Sequence, residues 1–163
     1  MQTQHTIGSF FKSMNLTHYI ICIGFIFILA AARVYIKQHP PTEEFQSQKI
    51  FEIIGIGIGA IGVLAARFIF FYKAKEAHSV FSLARKLNIF RYAHLLQIAI
   101  LEGVGFINIV FYFLTKEDIH FFIAVGIAIM LVFRRPQRQI AAMVLFSGLD
   151  DKQIVYDDSI PLS

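Results

Sequence analysis

Four apolar runs, each near the length needed to cross a bilayer, are parted by short polar stretches and set the organisation of the chain. Residues 13–32 carry no charge, and about twenty such positions on a helix span the ~30 Å of a hydrocarbon core. This pattern predicts a first helix over about 13–36. Residues 33–49 contain His39-Pro40-Pro41 and the acids Glu43 and Glu44, which break the helix and form an external loop. A second helix follows over about 50–72. Residues 73–91 mix Lys73, Lys75, Arg85, Lys86 and Arg91 with Val80, Phe81, Leu83 and Leu87, the pattern of an amphipathic surface helix or of an extension of the third helix. The third helix covers about 92–115. After Lys116-Glu117-Asp118 comes a fourth over 119–134, with so short a turn that the two must be antiparallel neighbours. Its apolar part, about fifteen residues, rises only ~22 Å, so Arg134 and Arg135 must reach outward or the bilayer must thin. Pro136 marks its end. Residues 137–163 form a tail, read as a short surface helix over 140–146 followed by an acidic, mobile end.

The expected fold class is therefore all-α: a polytopic membrane protein with a four-helix antiparallel bundle over 1–136, a cytoplasmic amphipathic connection and a cytoplasmic tail over 137–163. Composition agrees, since hydrophobic types make up 56% of the 163 residues and charged types 16%, too few charges for the surface of a soluble domain. A cleaved signal peptide is the rival reading of the first run, because Ala30, Ala31 and Ala32 resemble a cleavage site. The run is longer than a signal core and only Lys12 precedes it, which favours a retained span. Lys and Arg distribute as 1, 6 and 4 over the amino end, the second connection with Arg67, and the tail. The first and third connections hold 3 and 1. Eleven against four places both termini in the cytoplasm, in a plasma (inner) membrane. The net charge of +4 is spent on this topology, which argues against nucleic acid as a partner.

Within the second helix Gly55, Gly59, Gly62 and Ala66 recur at i, i+4, i+7 and i+11, a small-residue groove in which a neighbouring helix should lie. On the third, His94, Gln97, Leu101, Gly105, Asn108 and Tyr112 fall on one stripe that should face protein. Glu102 is the acid within the apolar run 99–115, and an ionised carboxylate in hydrocarbon must be protonated, paired or hydrated. The candidate intramembrane polar site is Glu102, Asn108, Arg67, Gln97 and His94. Arg67 stands roughly 7 Å from Glu102 in depth, close enough for an ion pair locking helices two and three. A proton- or ion-binding Glu102 is the alternative.

The six histidines are dispersed without metal-binding spacing, and the lone Cys22 excludes an intramolecular disulfide. The GIGIGAIG run has no preceding strand and no following Lys-Ser or Lys-Thr, so no nucleotide loop is read there. No cofactor is implied, no catalytic constellation is found, and the expected partners are the lipid bilayer and further copies or other membrane subunits. The motif Ala99-Ile100-Leu101-Glu102-Gly103, with Asn108, Tyr112-Phe113-Leu114-Thr115 and the Arg135-Pro136 step, resembles a class of small uncharacterised four-helix membrane proteins of bacteria. That resemblance implies the topology and no activity. The glycine run at 55–62 followed by a helix bearing Glu102 is similar in outline to the proteolipid c subunit of rotary ATPases, which would make Glu102 a proton site. The bulky Phe106, Phe111 and Phe113, the long polar loop and the two flanking helices depart from that pattern.

Overall fold

The computed structural model describes residues 6–39, 48–146 and 152–162. These are 87% helical with no strand, so nearly every backbone polar group is satisfied within its own helix, as a hydrocarbon surrounding demands. The helices are α1 (Ile7–Gln38), α2 (Gln48–Lys75), α3 (Leu83–Thr115), α4 (Asp118–Phe133) and α5 (Arg138–Leu145), with 3-10 turns at Glu76–Ser79 and Ile154–Tyr156. Three of them, α1, α2 and α3, are long and apolar enough to cross a membrane. A fourth span results if α4 and α5, which meet at a 78° bend, count as one. The predicted break at His39-Pro40-Pro41 and the acids Glu43 and Glu44 lies, from Pro40 on, outside the described residues.

The described residues fall into two compact units: 6–19, 67–97, 135–146 and 152–162 in the first, 20–39, 48–66 and 98–134 in the second. The first unit corrects two expectations. Helix α1 starts six residues earlier than the apolar run suggests, because Thr6 and Ser9 cap it reciprocally: the Ser9 N–H donates to Thr6 Oγ1 at 3.3 Å and the Thr6 N–H to Ser9 Oγ at 3.0 Å. Ile7, Phe11 and Met14 then fall on one face and enter a core with Phe70, Leu87, Phe90, Ala141, Leu145 and Val155. The end of the tail, expected to be mobile, is seated. The Ile7 N–H donates to the Ile160 carbonyl at 3.1 Å, Thr6 and Pro161 form an isolated antiparallel bridge, and Arg138 pairs with Asp158. Gly8 allows this approach, since a Cβ there would stand 2.9 Å from Asp158 Oδ1.

On either side of Asp158, the Ser159 hydroxyl and N–H donate to Asp157 at 2.6 and 2.9 Å and hold its carboxyl below the usual carboxylate range. This turn is therefore supported at neutral pH and loses that support as pH falls through the lowered value. Val155 is fully buried, so Val155→Asp places an unpaired carboxylate in the core. Trypsin cleavage after Lys152 should then accelerate roughly tenfold, a shift of about 1.4 kcal/mol in the opening equilibrium. An unchanged cleavage rate would show that the tail is held without its buried valine.

Segment 73–91 is not a separate surface helix. Helix α2 continues to Lys75, a 3-10 turn carries the chain to Ser79, and α3 starts at Leu83, so 83–91 is the extension of the third helix. Leu87 and Phe90 supply its buried face. The short helix expected near 140–146 exists as α5, with Ala141, Ala142 and Leu145 packed inward and Met143 exposed.

The second unit packs Cys22, Phe25, Leu29 and Ala32 of α1 with Ala66 of α2, Ile98, Leu101, Val104 and Ile109 of α3, and Ala124, Ile127 and Leu131 of α4. Lys116, at φ 58°, reverses the chain between α3 and α4. Its N–H bonds the Tyr112 carbonyl at 2.9 Å, and Thr115 Oγ1 accepts the Glu117 N–H at 3.2 Å.

Candidate functional site

In the second unit α2 meets α3 and α4 through the small-residue face that the sequence predicts. A Cβ on Gly59 would stand 3.2 Å from Ile123, one on Gly62 would collide with Val104, and Ala66 is fully enclosed. At Gly55 the occupant is polar. The space a side chain would fill holds the His120 ring, whose Nδ1 is 2.6 Å from the position of a Cβ, and Asn108 Oδ1 at 3.0 Å. Asn108 is completely buried; its amide donates to the Val104 carbonyl at 3.1 Å, and its Oδ1 faces His120 Nδ1 at 3.4 Å. An amide oxygen only accepts, so the proton of the neutral imidazole belongs on Nδ1 and the lone pair on Nε2. That Nε2 is buried without a hydrogen-bond partner among the described residues. Phe111 packs edge-on to the ring at 5.4 Å.

The sequence reading picks out Asn108 and Gly55 but passes over His120. Local histidine spacing carries no sign of it, because the partner of His120 is twelve residues away on another helix. Nor is Arg33 among the predicted site residues; it bonds Tyr112 and Asp118 and lies 4.7 Å from the Phe121 ring centroid. This cluster ties the carboxyl end of α1 to α3 and the first turn of α4.

Among the other candidates, Arg67, His94 and Gln97 belong to the first unit and Glu102 to the second. His94 and Gln97 are buried, with the His94 ring 5.4 Å from that of His18 and 6.4 Å from Phe90, so His94 is a packing residue beside a second imidazole. The whole stripe from His94 to Tyr112 is buried, as its spacing requires. Glu102 lies at the edge of that stripe, half-buried. Arg67 is exposed, its guanidinium 5.8 Å from the Phe71 ring centroid. Within its own unit neither Arg67 nor Glu102 enters an ion pair among the described residues.

Among the described residues no three His, Cys, Asp or Glu side chains gather to hold a metal ion. No protein-family model, curated protein or solved structure matches this chain.

Proposed function

We propose that the chain is a multi-pass integral membrane protein of structural or accessory type, acting as a homo-oligomer or as a subunit of a larger membrane assembly. In this reading four spans form an antiparallel bundle with both termini in the cytoplasm of a bacterial-type inner membrane. The observation that carries it is the character of the outer surface. The apolar windows of α1, α2 and α3 are only 28%, 22% and 44% buried, leaving side chains such as Phe27, Ile53, Ile61 and Phe68 outward. So much apolar surface is stable only against lipid or other apolar helices. The internal polar groups at Gly55, Asn108 and His120 serve helix packing in the same reading, as interhelical hydrogen bonds do in membranes. Extraction should require detergent, and light scattering on the purified complex should give a mass above one chain. A stable monomer in detergent-free buffer would overturn the proposal.

A second reading has its own observation: Glu102 is half-buried in the middle of α3 with no hydrogen bond or ion pair among the described residues. A carboxyl so placed is suited to take up and release a proton or cation. Reconstituted vesicles would then show pH-dependent flux that Glu102→Gln abolishes. Identical traces from wild type, variant and empty vesicles would leave the packing role.

A further inference from the structure

We propose that the groove between the first turns of α1 and residues 135–138 is a binding site for the phosphate headgroup of an anionic phospholipid. The groove encloses about 750 Å³ and opens widely to its surroundings; Lys12, Asn15, Leu16 and Tyr19 form one wall and Arg135, Pro136, Gln137 and Arg138 the other. Three cations line it and no acid does. Arg138 is held in place by Asp158, by the Tyr156 carbonyl at 3.3 Å and by the Phe11 ring 5.4 Å away. Lys12 and Arg135 are exposed, and neither enters an ion pair among the described residues. Helix α5 starts in the same wall, and its N-cap, Gln137, gives no side-chain bond to the first-turn N–H groups, which adds a positive dipole end to the two open charges.

The source of the phosphate follows from where the charges stand. Lys12 immediately precedes the charge-free run 13–32, and Arg135 stands two residues beyond the last apolar residue of α4. Both therefore mark the level at which hydrocarbon gives way to headgroups, where an anionic leaflet attracts basic side chains. Leu16 and Tyr19, both largely exposed, continue the wall from Lys12 along α1 and give the upper part of an acyl chain an apolar surface. Free phosphate has no use for that surface. The inference rests on the membrane reading above.

The test uses the full chain in mixed micelles, comparing retention of phosphatidylglycerol and phosphatidylcholine by native mass spectrometry. Wild type should prefer phosphatidylglycerol, and Lys12→Gln and Arg135→Gln should each reduce the preference about fivefold, the value of one interfacial cation. Arg85→Gln, an exposed cation outside the groove, should leave it unchanged. Equal retention of the two lipids by wild type, or an equal loss with Arg85→Gln, overturns the site while leaving the membrane reading intact. Inorganic phosphate that displaces the lipid and stabilises the chain to the same extent overturns the lipid as the source. A chain that stays monomeric without detergent fails at the earlier premise. Because each single variant can be compared with Lys12→Arg or Arg135→Lys, a fold defect is recognised when the charge-preserving change loses the preference too.

Discussion

Gly55→Leu is expected to lower stability in mild detergent by about 3 kcal/mol, the upper part of the range for overfilling a packed interior. A Cβ alone would stand 2.6 Å from the imidazole of His120 and 3.0 Å from the amide oxygen of Asn108. Neither neighbour has room to yield, because both are fully buried and Asn108 is fixed to the Val104 carbonyl. Gly55→Ala should therefore cost about 1–2 kcal/mol, even though alanine is the better helix former. Gly57 gives the matched comparison two residues away on the same helix. A Cβ there meets nothing within 4 Å, so Gly57→Ala should be neutral or stabilising by up to about 1 kcal/mol. Thermal unfolding followed by helicity distinguishes the two; equal midpoint shifts for Gly55→Ala and Gly57→Ala would show that α2 is not seated as described.

Asn108→Ala should cost about 2 kcal/mol in the same assay. It removes two bonds at once, the one to the Val104 carbonyl and the one to His120, and leaves the His120 Nδ1 hydrogen buried without an acceptor. The pair's own share is smaller. A bond of 3.4 Å is long, and interhelical bonds measured inside membranes average about 0.6 kcal/mol, so a double-mutant cycle with His120→Leu should return a coupling near that figure. A coupling of zero would mean that the two side chains are neighbours only, and that the cost of Asn108→Ala is local to α3.

What could be read from the chain in advance follows the range of each signal. The cores of α1, α2 and α3 come from apolar runs, and the glycine face of α2 comes from a spacing within one helix; both are local and both are seen. The seat of the tail rests on pairings between residues about 150 positions apart, such as Ile7 with Ile160, which no window of the sequence contains. Residue type and depth place Arg67 and Glu102 along their helices but not around them: the guanidinium lies beside Phe71, and the carboxyl sits at the rim of the buried stripe. No local pattern singles out His120; the absent side chain of Gly55, on another helix, makes room for it in the interior.

The way the two units divide the chain also bears on its synthesis. The second unit draws on nothing beyond residue 134, whereas the first needs Ile160 to close on Ile7. A ribosome delivering the protein from its amino end therefore completes the ingredients of the Gly55–Asn108–His120 packing well before those of the other core. Throughout that interval the opening turns of α1 lack the tail that closes over them, and a stalled or shortened product would carry them unclosed.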